Sequence, residues 1–273
     1  MDLKTLRKTP PWEWPENTGR MLIDVLRDRG AAGPDRLLAV ELAGDFTVIG
    51  DELADALVSI LRGADESEML RGEAAISLGP VLEHADTEAF DEPDEAPITE
   101  RTFHEIQESL RKLFRDAGVP KDVRRRILEA SVRAPQEWHG DAIRGAYAST
   151  DEDWKLTAVF CMRFVRGFER EILAALESDN SDIRYEAVCA AGAWSVEAAW
   201  PHVAALVTSE AIDKPLLLAA IDAVASIRPK EAPEILGDLL DSEDEEIVEA
   251  VHEALAMAEG PSDEDEADDE FRD

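Results

Sequence analysis

The chain repeats itself, and the repeat length decides what it can fold into. Seven segments share one pattern: P-D-R-L-L-A-V from Pro34, M-L-R-G-E-A-A from Met69, D-V-R-R-R-I-L from Asp122, D-W-K-L-T-A-V from Asp153, D-I-R-Y-E-A-V from Asp182, K-P-L-L-L-A-A from Lys214 and E-I-V-E-A-V-H from Glu246. Their sixth positions are Ala39, Ala74, Ile127, Ala158, Ala187, Ala219 and Val251, separated by 35, 53, 31, 29, 32 and 32 residues. A period near 30 is one helix pair. A single pair cannot cover its own apolar face, whereas stacked pairs bury a continuous core. The long step holds an acidic, proline-bearing insertion at about 85–98, A-D-T-E-A-F-D-E-P-D-E-A-P from Ala85 to Pro97.

Local signals agree with helices. Ile183, Ala187, Ala190 and Ala191 fall on one helical face. Asn180 or Ser181 supplies an N-cap oxygen, T-D-E-D from Thr150 reads as a cap, and Pro215 sits where a helix start tolerates proline. Partner helices are predicted over 51–61, 103–114, 168–176, 198–207 and 232–240. The one β-like run, Phe46 to Ile49, is four residues long.

Charge narrows the function classes. The chain has 28 Lys plus Arg against 62 Asp plus Glu, a net charge of −34. That argues against a nucleic-acid coat or a binder of anionic membranes, which need cations against phosphate. The acidity and the scarcity of lysine read as adaptation to a salty cytoplasm, where ions screen self-repulsion; an acidic protein of ordinary cytoplasm is the alternative. Residues 101–184 stand apart, with 15 basic and 15 acidic groups inside an acidic chain. Apolar runs reach only about seven residues, as in Leu156 to Met162, too short to span a bilayer. The first ten residues carry Lys4, Arg7 and Lys8 without an apolar stretch, so a cytoplasmic location is expected. Cys161 and Cys189 sit among apolar neighbours and are expected in the core.

The pattern D-x-R-x-x-A followed by A/L-G, as in Asp182, Arg184, Ala187 and Gly192, resembles HEAT-like repeats, and most of all the short variant of phycobilin lyases. Met69, Lys214 and Leu216 depart from it. The resemblance implies an all-α fold: a right-handed α-solenoid of about seven HEAT-like helix pairs over 17–259, with an N-terminal cap over 1–16 and a disordered acidic tail over 260–273. Trp12 and Trp14 are expected to fold over the first pair.

Within this frame the third column, Arg36, Arg71, Arg124, Lys155 and Arg184, is either a structural ladder or an anion-gripping stripe. By helical spacing the fifth, eighth and twelfth columns face away from the core; they read Arg126, Glu129 and Arg133 on one helix, Phe160 and Phe164 on the next, then Glu186 and Cys189, with Trp138, His139, Arg163, Arg166, Tyr185 and Trp194 nearby, and the partner-binding residues expected are Arg126, Glu129, Arg133, Trp138, Arg163, Arg166, Tyr185, Glu186 and Trp194. Arginine and aromatic residues together are the composition of interface hot spots. The reading is a non-enzymatic scaffold or adaptor that binds a protein or peptide there, with no cofactor, no metal and its oligomeric state left open. The alternative is a lyase-type enzyme or accessory holding a small ligand or chromophore against Trp138, Tyr185 and Trp194. HEAT-like hydroxylases use four His-Glu dipeptides for iron; this chain has two, at His104 and His252, so surface histidines are expected.

Overall fold

The computed structural model describes residues 2–45, 47–87, 96–209 and 212–259. The tail 260–273, the centre of the acidic insertion (88–95) and Phe46 lie outside them. Among the described residues every regular element is helical, and no helix is long and apolar enough to cross a membrane. The chain divides into two compact units, Met1–Ala142 and Ile143–Asp273.

The first unit opens with α1 (Leu3–Leu6) and a 3-10 turn (Pro11–Glu13). It continues with α2 (Thr18–Arg27), α3 (Gly33–Ala43), α4 (Asp51–Arg62), α5 (Glu68–Ile76), α6 (Gly79–Thr87), α7 (Glu100–Arg115) and α8 (Lys121–Ser131); α9 (Glu137–Tyr147) crosses the division. Leu22, Ala39, Leu57, Ala74, Leu82, Leu110 and Ile127 are fully buried in one apolar cluster. At the N-terminus, the Trp14 indole donates to the carbonyls of Leu6 (3.1 Å) and Thr9 (2.9 Å) and packs on this cluster. Trp12 does not join it and is 79% exposed, because the 3-10 turn points it away from the bonds that hold Trp14.

Three members of the basic column, Arg36, Arg71 and Arg184, bond main-chain carbonyls as rungs of a ladder. Arg36 donates to the carbonyl of Leu26 (3.2 Å) and Arg71 to that of Leu61 (2.9 Å), each the penultimate residue of the preceding helix. Arg184 reaches the Ser178 carbonyl at 3.3 Å. Carbonyls at a helix C-terminus lack intrahelical donors, so a guanidinium there satisfies them and meets the negative end of the helix. Arg36 also forms a two-pronged pair with Glu66 at 2.7 and 2.8 Å, both side chains nearly buried. That contact holds the Arg36 pKa above and the Glu66 pKa below their ordinary values. Lys155 instead lies over the Tyr147 ring at 5.9 Å.

The second unit contains α10 (Glu152–Cys161), α11 (Glu169–Leu176), α12 (Ser181–Ala193), α13 (Trp200–Val207), α14 (Lys214–Ile227), α15 (Ala232–Leu236) and α16 (Glu245–Glu259). Asp151, Asn180 and Asp213 cap α10, α12 and α14 through their side-chain oxygens. Consecutive members of the row α10, α12, α14 and α16 pack on one another. They run parallel. Near their N-termini, Asn180 Nδ2 donates to Glu152 Oε2 (3.3 Å) and Lys214 Nζ meets Asp244 Oδ2 (2.7 Å). At the opposite edge, the Trp194 indole donates to the Met162 carbonyl (2.6 Å) and Ser195 Oγ to the Ser226 carbonyl (2.8 Å). Gly192 lets α12 and α14 approach closely: a Cβ there would lie 3.1 Å from both Cα and Cβ of Ala223.

One register differs from the sequence alignment. In α14 Ala220 is fully buried while Ala219, the aligned sixth position, is half-buried, so this repeat starts at Pro215 rather than Lys214.

Candidate interaction face

The nine side chains expected on one face are divided between the two units, and the units treat them differently. In the first unit Arg126 Nη1 bonds Glu129 Oε2 at 2.8 Å, and Arg133 Nη1 bonds Glu83 Oε2. Glu129 is a correction: it is buried, at 7% exposure, and serves as a counterion to Arg126 rather than an open contact. α5 packs along α8, and a Cβ on Gly72 would come within 3.3 Å of Arg126 Cγ. Glu73 lies close enough to feel Arg126; burial, then the charge of Glu41, pushes its carboxyl pKa up, and Arg126 opposes the shift.

Trp138 is half-buried. Its indole donates to Gln136 Oε1 (2.6 Å), and its ring meets those of Phe114 at 5.1 Å and His139 at 3.9 Å. His139 is the second correction, since it is wholly buried rather than at the surface. Its Nδ1 accepts from the Gln136 amide at 2.8 Å, which leaves Nε2–H to donate to Ser131 Oγ at 3.0 Å. Burial pulls its pKa down to about 4, so the ring is neutral at pH 7.

In the second unit Phe160, Phe164 and Cys189 of the outward columns come together with Arg163, Arg166, Tyr185, Glu186 and Trp194. The rings of Phe160, in the last turn of α10, and Phe164, just beyond it, pack at a tilt with centroids 5.5 Å apart. The Arg163 guanidinium lies 5.8 Å from the Phe160 ring centre and reaches Glu186 Oε2 on α12 at 3.4 Å. Arg166 lies over Trp194 at 4.5 Å, with the indole fixed by its bond to Met162. Tyr185 and Cys189, one turn apart on α12, share a side-chain hydrogen bond. Phe160, Arg163, Tyr185, Glu186, Cys189 and Trp194 are all half-exposed, and Arg166 is open to solvent.

Cys189 therefore corrects the core expectation, while Cys161 meets it. Burial raises the Cys189 thiol pKa and Arg163 works against the rise, so the group is a thiol at neutral pH and a poor nucleophile. Desolvation also lifts the carboxyl pKa of Asp222 on α14, against Arg163. Asp222 was missed in sequence. Once α14 is read from Pro215, it occupies the eighth column with Phe160 and Cys189, so the buried Ala220 was the signal. Among the described residues no group of three or more His, Cys, Asp and Glu is placed to hold a metal ion.

By sequence, no family profile and no curated protein matches the chain. Solved structures with a related course include an engineered protein (20% identity, TM-score 0.43, covering 76% of this chain and 96% of that one). They also include YibA of Escherichia coli (15%, 0.47, 93% and 85%) and human deoxyhypusine hydroxylase in complex with glycerol (17%, 0.40, 90% and 97%). At these TM-scores the likenesses carry no argument about what this chain does.

Proposed function

We propose that this chain is a non-enzymatic interaction module, a HEAT-like α-solenoid of about seven helix pairs, that grips a protein or peptide. The contact face is the side of α10, α12 and α14 in the second unit. One observation carries the reading: Arg166, open to solvent, lies over the Trp194 ring, beside Arg163, which lies by Phe160 and meets Glu186. A guanidinium stacked on an aromatic ring keeps its edge donors free for carbonyls and carboxylates, and the ring beside it buries apolar area. The row of parallel helices, each joined to the next, supports the solenoid reading. Arg126, Glu129, Arg133 and Trp138 are assigned a supporting role, because their polar groups meet partners within their own unit.

The test is selection of binders from a displayed random-peptide library at several salt concentrations. Selected peptides are then measured against wild type and Arg163→Glu/Arg166→Glu, with circular dichroism as a folding check. Binders that lose at least tenfold affinity for the variant support the face. A library that yields none, or binders indifferent to the variant, sinks it. A visible chromophore co-purifying with the protein would move the reading to the small-ligand alternative.

A further inference from the structure

We propose that the first unit holds a small-molecule site, a recess between the N-terminal turns of α3 and α5 that takes a compact apolar carboxylate. The site lies wholly within the first unit, so it does not rest on the function proposed above.

The repeat builds the recess by departing from its own pattern. Its first position is Asp122, Asp153 and Asp182 in the middle repeats, but Pro34 and Met69 in the first two. An aspartate in the first turn suits the positive end of its helix and stays hydrated. Proline and methionine put carbon there instead. With Ala31, Leu37 and Leu70 they line a recess of about 550 Å³, within the range of sites for small organic ligands. Met69 is 70% exposed, whereas Leu70 beside it is buried. A ligand that covers the Met69 thioether and the Leu37 side chain removes apolar surface from water, which favours binding.

The polar lining selects the head group. It consists of Arg29, Arg36, Glu66 and Ser67. The acceptors are spent: Glu66 holds Arg36 in the two-pronged pair, and Asp65, the residue before it, accepts from Arg29 Nη1. The donors are not. The Arg29 side chain is 70% exposed, and its Nε and Nη2 make no bond among the described residues. These two nitrogens form one edge of the guanidinium, with the spacing of the two oxygens of a carboxylate. The Ser67 oxygen accepts from the Leu70 amide, which leaves the hydroxyl proton to give. A ligand amine would find no open acceptor in this set, while a carboxylate finds a free arginine edge and a hydroxyl. One force opposes it, since the carboxylates of Asp65 and Glu66 repel a second anion. Binding therefore depends on the Arg29 edge and the apolar walls together, and a dissociation constant of about 1 mM or below is expected for a ligand of this size.

The experiment uses the full chain labelled with carbon-13 at its methionine methyl groups. The probes are 4-phenylbutyrate, octanoate and the neutral 4-phenylbutyramide, titrated by NMR. Met257, 57% exposed on the second unit, reports non-specific contact, and the buried Met162 reports folding. The expected result is a saturating shift of the Met69 signal with an acid and none of Met257, with the amide weaker by about fivefold or more. Arg29→Gln/Asp65→Asn removes both charges and keeps their sum, and is expected to bring the acid down to the level of the amide. Met69→Asp restores the residue of the middle repeats; it identifies the signal and, read from the ligand by saturation transfer, is expected to cost about tenfold in affinity. A Met69 signal unmoved by both acids overturns the proposal, as does one that moves together with Met257 without saturating. Equal binding of acid and amide, or a charge-removed variant that binds the acid as wild type does, overturns it as well.

Discussion

Arg126 and Arg133 in the first unit and Arg163 and Arg166 in the second were expected on the same kind of surface. Their surroundings differ. The first pair ends on Glu129 and Glu83. In the second pair Arg163 shares its charge between Glu186 and the Phe160 ring, and Arg166 rests on Trp194 alone. A carboxylate consumes the directional donors of a guanidinium, whereas an aromatic face leaves them pointing outward. What lies under a surface arginine thus decides how many of its donors stay open, which column position does not reveal.

The comparison can be broken at several strengths. The largest effect belongs to the ladder, where an arginine is wholly structural. Replacing Arg36 with Met strands the nearly buried Glu66 carboxylate and the Leu26 carbonyl, and is expected to cost about 3–5 kcal/mol in urea unfolding. A loss below 1 kcal/mol would mean the ladder is decoration. Next is His139. Its pKa is about 4 when folded against an ordinary value of 6.5, so the unfolded chain takes up the proton first as pH falls. The stability from keeping it neutral is complete above pH 6.5 and drains away towards pH 4, by about 3 kcal/mol. Urea titrations of wild type and His139→Gln across that range should diverge above pH 5 and converge near pH 4; parallel curves would refute the assignment.

Gly192→Val tests the close approach within the second unit and should cost about 2 kcal/mol, since the Ala223 backbone cannot retreat. The smallest effects bear directly on the two arginine pairs. Arg126→Ala removes the ion pair with Glu129 and should cost about 1 kcal/mol, while Arg166→Ala should change stability by about 0.5 kcal/mol. If the Arg166 variant proves the less stable of the two, the distinction between structural and open arginines fails.

Much of the helical layout was legible because its signals are local. Asn180, Asp151 and Asp213 cap helices through bonds to amides two or three residues away, and such spacing is written in the chain. The buried column of Ala39, Ala74, Ile127, Ala158 and Ala187 was readable for the same reason. What escaped depends on contacts between helices. Glu129 looks like a surface residue until packing buries it beside Arg126, and His139 looks exposed until Ser131 and the Gln136 amide are brought to its ring. The single-residue shift in α14 hid Asp222, because lysine and proline share the start of that repeat and only burial tells which one opens it. Division of the candidate residues between two units had no local sign at all.

The parallel row α10, α12, α14, α16 has a consequence for how the second unit comes apart. Each helix is tied to the next by a few end-to-end bonds, and α16 has a parallel neighbour on one side only, with Met257 57% exposed. Cooperativity in such a stack passes from neighbour to neighbour. Opening should then proceed as a zipper does, with amides of α16 exchanging with solvent first, α14 next, and those of α12, clasped on both flanks, among the last.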